Sequence, residues 1–320
     1  MKNLILVICL LWISTNLCAQ DFKVIAYSFG ATKPEAIPYD QLTHINYSFA
    51  IPQADGRLAP FKNPEQLKAI VANAKKYNTK VFISVGGWGI GDGGGNDFRF
   101  EKLASSPASR KTFVQSVSEF IDEHGLDGLD LDWEYPDDIV NPDAGQSQKS
   151  SFYFLELMKE LRTELNKKNK QLTIAVVGSN DSIGAGIPEK VFEYLDWVNI
   201  MSYDNPKEKS HSSYKHAMEC LDYWIDKRNL PASKAVLGLP FYGKYPATPY
   251  RKILEIDPAA SEKDTVAGII YNGPALLKSK TRLALDRGLA GVMFWELSHD
   301  VTDPKRSLLH AINQEIKKKE

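Results

Sequence analysis

The sequence has little cysteine: three residues in 320, at Cys9, Cys18 and Cys220. Two of them fall in the first 19 residues. With that leader removed, Cys220 stands alone, no intramolecular disulfide can form, and stability must come from the core. A chain of this length can bury one. An excess of either charge is also missing, with 39 Lys+Arg against 40 Asp+Glu and a net charge of −1. The basic run Lys317-Lys318-Lys319 is terminal, where it suits the negative end of a helix dipole. Nucleic acid is therefore not an expected partner. No apolar run is long enough for a membrane span. Leu4–Ile13, with Lys2 ahead of it and Ala19 before the expected cut, reads as the centre of a secretory signal over 1–19. The expected location is secreted or periplasmic. A lipoprotein anchor at Cys18 is disfavoured, because Leu17 stands where a small residue belongs. No linker or shift of composition marks a second domain, so 20–320 is expected to be one domain working as a monomer.

The densest chemistry lies in Leu126–Pro136, Leu-Asp-Gly-Leu-Asp-Leu-Asp-Trp-Glu-Tyr-Pro. Along a strand, side chains alternate faces. Asp130, Asp132 and Glu134 then share one face, and Leu129, Leu131 and Trp133 the other. A row of acids on a strand with an apolar reverse face is costly to fold. A solvated edge strand or a cluster of metal-binding carboxylates would account for it. No second acidic or histidine cluster supplies further ligands, so no metal or cofactor is expected. An acid–base site accounts for it better. Closely packed like charges cannot all ionise, so one carboxyl keeps its proton near neutral pH and can act as a general acid.

Apolar strands and amphipathic helices alternate along the rest of the chain. Strands are expected at Lys23–Ser28, His44–Ala50, Lys80–Val85, Gly128–Asp132, Leu172–Val177, Trp197–Tyr203, Ala235–Phe241 and Gly291–Trp295. The main helices are expected at Pro64–Tyr77, Pro107–His124, Ser151–Asn166, Pro188–Tyr194, Tyr214–Arg228, Pro274–Arg287 and Pro304–Lys318. Eight strand–helix units with continuously apolar strands imply an α/β (β/α)8 TIM barrel, with a doubly wound open sheet as the alternative. Active sites of such barrels sit at the C-terminal strand ends. Acids, hydroxyls and aromatic rings gather there in this chain, a set that suits sugar rings and their hydroxyls. Gly89-Ile-Gly91-Asp-Gly-Gly94 has the spacing of a dinucleotide loop. It runs on into more loop instead of opening a helix, so a loop beside a sugar cleft is the better reading.

The motifs resemble those of the family-18 glycoside hydrolases, the chitinase family. Asp127-Gly-Leu-Asp130-Leu-Asp132-Trp-Glu134 matches every fixed position of the family's Asp-x-x-Asp-x-Asp-x-Glu signature. Ser84-Val-Gly-Gly-Trp88, Met201-Ser-Tyr203-Asp204, Gly238-Leu-Pro-Phe-Tyr-Gly243 and Gly291-Val-Met-Phe-Trp295-Glu296 resemble its motifs on strands three, six, seven and eight. Lys244 departs from the arginine of many members.

The resemblance implies a retaining, substrate-assisted cleavage of β-1,4-linked N-acetylglucosamine. Glu134 would be the acid, Asp132 would orient the acetamido group, and Asp130 would share a proton with Asp132. Tyr203 would complete the catalytic set. The candidate substrate-binding residues are Trp295, Asp204, Trp88, Tyr135, Met201, Tyr27, Ser84 and Tyr242. Asp127, whose spacing breaks the alternation, is expected to support the site from inside the barrel. Trp133 and Trp224 are expected to be packing. The partner implied is an N-acetylglucosamine-containing oligo- or polysaccharide. An endo-enzyme cutting the chitobiose core of N-glycans and a non-catalytic chitinase-like lectin are the alternatives. Only Lys244–Ala290 separates the last two strands, so the α+β insertion of many chitinases is expected to be absent and the groove shallow and open.

Overall fold

The computed structural model describes residues 22–91, 98–205 and 209–319. The expected signal segment and Asp92–Gly94 of the glycine-rich loop lie outside them. Eight parallel strands close into a barrel: β1 (Lys23–Ser28), β2 (His44–Ala50), β3 (Lys80–Gly86), β4 (Gly128–Asp132), β5 (Gln171–Val177), β6 (Trp197–Met201), β7 (Ala235–Pro240) and β8 (Gly291–Trp295). Each pairs with its sequence neighbours, and β1 pairs with β8 to close the ring. Every strand is covered on both faces, which is why these segments read as apolar runs and not as alternating ones.

The two faces bury different things. Outward-facing Leu129 and Leu131 of β4 join Phe113, Val117 and Ile121 of one helix and Leu157 and Leu161 of the next in the main core. At the N-terminal end of the barrel interior, a second cluster gathers Ile25, Phe82, Trp197, Val236 and Met293. His44 meets Phe82 and Trp197 edge-on there, with ring centroids 5.5 and 4.9 Å apart. This apolar plug leaves the C-terminal half of the interior free for polar side chains.

Helix Pro107–His124 has the expected bounds, and its signals explain why. Ser106 accepts the N–H of Ala108, Pro107 opens the first turn, and Gly125 ends the helix at φ 63°. Other elements differ from expectation. The first helix is α-helical over Pro64–Ala74 and tightens into a 3₁₀ turn to Tyr77. The helix after β6 changes from α (Tyr214–Leu221) to π (Asp222–Lys227). Strand β6 stops at Met201, because Ser202 turns its amide back to Ile200 O. Two short helices, Arg99–Ser105 and Tyr250–Ile256, stand where no element was expected. Between β7 and β8 the chain makes two short strand pairs, the helix Tyr250–Ile256 and the helix Pro274–Asp286, with no α+β domain among them. Among the described residues, no helix is long and apolar enough to cross a membrane.

Candidate active site

Strand pairing puts the acids inside the barrel. Asp130 stands level with Ser84 of β3 and Thr173 of β5, and Asp132 with Gly86. Asp130 is fully buried. Its Oδ2 accepts from Tyr27 OH (2.8 Å) and Ser84 Oγ (2.9 Å), and its Oδ1 from Thr173 Oγ1 (2.6 Å) and Asn199 Nδ2 (2.9 Å). Burial pushes the carboxyl above its ordinary range, and the four donors pull against that shift. Tyr27 and Ser84 thus act on Asp130 from below the cleft.

Asp132 is the opposite case. It is buried, yet its Oδ1 has no hydrogen-bond partner. Burial, then the neighbouring Glu134 and Asp130, raise its pKa well above the usual carboxylate value. A buried carboxyl oxygen left without a partner is costly unless a ligand supplies one. Glu134 lies two residues on, past the end of β4. Burial lifts its pKa to about 7, aided by the charge of Asp204 and opposed by a hydrogen bond from Tyr135. A carboxyl poised there can donate a proton and take it back near neutral pH.

Tyr203 and Tyr242 close the other side, with ring centroids 6.2 Å apart. Burial, together with the surrounding carboxylates, raises both phenols well above their usual value, so both remain donors. Asp204 has a positive φ of 56° and faces Lys244 Nζ at 3.1 Å and His211 Nδ1 at 3.2 Å. Burial acts to raise its pKa, but His211, Tyr242 and Lys244 outweigh it and hold the carboxyl below its usual range. Trp295 ends β8 in an aromatic nest. Phe49 stacks on it at 5.6 Å, and Phe29 and Tyr27 pack at 6.0 and 5.9 Å. Trp88 is 67% exposed just beyond β3. Met201, Tyr203 and Trp295 each pack against the apolar plug.

Most of the sequence-derived set therefore converges, and one member does not. Asp127 precedes β4 at the opposite end of the barrel, partly exposed, where its Oδ2 accepts Val81 N–H at 2.9 Å and its Oδ1 faces Lys80 at 3.4 Å. It braces the starts of β3 and β4 and is not in the interior. Trp133 faces away from the acids and stacks on Phe100 at 5.0 Å. Trp224 is buried and donates to Val177 O and Gly178 O. The sequence reading missed Thr173, Asn199, His211, Phe29 and Phe49. Thr173 and Asn199 carried a signal, being lone polar residues at inward positions of apolar strands. His211 and Phe29 lie in loops, where no periodicity points to them. Among the described residues, no group of three or more His, Cys, Asp or Glu side chains could hold a metal ion.

A parallel barrel whose strand ends bring together a row of carboxyls, phenols and aromatic rings has the build of the barrel glycosidases. The model for "Glycosyl hydrolases family 18" matches residues 23–300, and the chain belongs to that family. Its relatives include "Probable chitinase 10" of Drosophila melanogaster, 30% identical over 71% of this chain and 11% of that protein. "Chitinase 1" of Aphanocladium album is 26% identical over 83% of this chain and 77% of that protein. The chain thus corresponds to about a tenth of the first relative and about three quarters of the second. Among solved structures, a chitinase from Bacteroides thetaiotaomicron superposes with a TM-score of 0.78 at 28% identity, covering 92% of this chain and 96% of that one.

Proposed function

We propose that this chain is a retaining, substrate-assisted glycosidase that cleaves β-1,4-linked N-acetylglucosamine. The observation that carries the reading is the pair of unlike carboxyls at the mouth of β4. Glu134 is held near pKa 7, and Asp132 keeps a buried oxygen without a partner. In this scheme Glu134 gives its proton to the glycosidic oxygen. That oxygen leaves with the electron pair of the C1–O bond. The acetamido carbonyl oxygen of the same sugar attacks C1 and forms an oxazolinium ion. Asp132 Oδ1 accepts the acetamido N–H, and Tyr203 donates to the acetamido oxygen. Glu134, now a carboxylate, takes a proton from the water that attacks C1, and the ring opens with retained configuration. A sugar without an N-acetyl group at the cleaved bond has no nucleophile and does not react. Trp295 is the floor of that sugar's pocket, Asp204, Tyr135, Tyr242 and Met201 form its walls, and Trp88 is a platform further out. The short connection between β7 and β8 supports an open groove and internal cleavage.

Mass spectrometry of products from chito-oligosaccharides, run beside an N-glycosylated protein, tests the reading. Short N-acetylglucosamine oligomers are expected from the first, and turnover is expected to fall about 10²–10⁴-fold in Glu134→Gln. Release of glycans that leaves one N-acetylglucosamine on the protein would move the substrate to N-glycans. Binding without any cleavage would make the chain a lectin and overturn the catalytic scheme.

A further inference from the structure

Lys280 lies on the helix Pro274–Asp286, outside the barrel, and is completely buried. Its Nζ reaches Ser212 O at 2.6 Å, Ser212 Oγ at 2.7 Å and Asn272 Oδ1 at 2.6 Å. All three are acceptors here. Ser212 Oγ spends its one proton on Ser202 O at 2.6 Å, and Asn272 turns its Nδ2 to Ser212 O at 2.9 Å. Three acceptors around one amine are all satisfied by an ammonium, with three N–H bonds, against burial, which lowers its pKa to about 7. Its direct partners are a carbonyl, a hydroxyl and an amide, with no carboxylate among them, and Asp264 supports its charge only through space. An ionised group without a counter-charge is costly to bury, even with its hydrogen bonds complete. Such a cost calls for a role.

The partners show what that role is. Ser202, held by Ser212, immediately precedes Tyr203, and its Oγ donates to Gly238 O at 2.6 Å. Tyr203 lies against the bare face of that glycine, where a Cβ would stand 3.1 Å from its ring. On the other side of Ser212 is His211. Its Nδ1 lies 3.3 Å from Asp204 N and 3.2 Å from Asp204 Oδ1, and its Nε2 donates to Tyr242 O at 3.1 Å. His211 O in turn accepts the N–H of Asn205 at 3.0 Å. We propose that Lys280 is a positioning residue for the candidate active site: a buried cation that locks Ser212, and through Ser202 and His211 fixes Tyr203 and Asp204 against the substrate's acetamido group. The placement of that group rests on the function proposed above.

The test combines kinetics with a readout that needs no turnover. With 3-fluorotyrosine incorporated, the Tyr203 line of the ¹⁹F spectrum is assigned by its loss in Tyr203→Phe. In Lys280→Met that line is expected to shift and broaden. The kcat on chito-oligosaccharides, per folded molecule, is expected to drop about 10–100-fold with KM changed less than about threefold, the signature of a misplaced contact. If Lys280→Met does not fold, Ser212→Ala carries the test, since it removes the hydroxyl link but keeps the cation and its other two acceptors. It is expected to move the same line and lower kcat about 3–10-fold. An unmoved line with wild-type kcat in folded Lys280→Met, or in Ser212→Ala where that variant carries the test, overturns the proposal. A wild-type protein without turnover overturns the proposed function instead, and the Tyr203 line still decides the role of Lys280.

Discussion

At the scale of single residues, the environment of Glu134 makes opposite demands that can be separated. Its pKa is raised to about 7, chiefly by burial, with the hydrogen bond from Tyr135 opposing the rise and the negative charge of Asp204 adding to it. In the proposed scheme the acid form starts cleavage, so activity is expected to fall as pH rises through about 7. Two substitutions should move that limb in opposite directions. Tyr135→Phe removes a donor to the carboxylate, so the limb moves to higher pH. Asp204→Asn removes a repelling charge, so the limb moves to lower pH, while kcat also falls because a pocket wall is altered. The pH dependence of kcat/KM for the two variants checks this, and limbs moving the same way would detach the titration from Glu134. The acids themselves were legible because three of them share one face of an otherwise apolar strand. Their unequal environments were not. What separates Asp130 from Asp132 is the four donors around one and the unpartnered oxygen of the other, and all four donors come from strands 43 to 103 residues distant in sequence.

At the scale of elements, the ends of β3 and β4 depend on each other. Gly86 has φ +114°, and a Cβ there would stand 2.3 Å from Asp132 O. The next residue, Gly87, donates its N–H to that same oxygen at 2.8 Å. The glycine pair thus lets β3 cross closely over the backbone that carries Asp132 and turn away towards Trp88. Gly86→Ala meets both a backbone clash and a φ that side chains avoid, with a cost of about 1–3 kcal/mol for the conformation alone. A lower Tm is expected together with a loss of kcat beyond the loss of folded protein, because the clash falls on the Asp132 peptide. An unchanged kcat per folded molecule would mean that the strand end absorbs the change without moving Asp132. Strands were read from sequence almost to the residue, since burial on both faces makes them continuous apolar runs. The short helices were not. In Arg99–Ser105, Phe100, Leu103 and Ala104 are buried at helical spacing, but seven residues give too few turns for periodicity to stand out beside a glycine-rich stretch. The π turn Asp222–Lys227 buries Tyr223 and Trp224, and no local pattern in the sequence separates it from a continuing α-helix.

Across the whole molecule, the two ends of the barrel set different pH limits. In the proposed scheme the C-terminal end needs a protonated Glu134 and so favours pH below about 7. The N-terminal end holds His44 between Phe82 and Trp197, where burial, and then the charges of Lys23 and Lys80, lower its pKa to about 3. An unfolded chain takes up that proton near pH 6.5, and the folded barrel does not until about pH 3. Stability from this site is therefore complete above about 6.5 and lost progressively as pH falls towards 3. At pH near 4.5 the loss amounts to about 2–3 kcal/mol, at about 1.36 kcal/mol per pH unit. Asp130, Asp132 and Asp300 act with the opposite sign. Their folded pKa values are raised, so the cost of burying them ionised is relieved in acid. The contribution of His44 is thus best read as a difference between variants. His44→Leu keeps an apolar plug and removes the titration. Its Tm is expected to fall less than that of the wild type between about pH 7 and 4.5, by roughly 3–5 °C. Parallel Tm curves for the two proteins would show that His44 takes up its proton in the folded barrel as readily as in the unfolded chain.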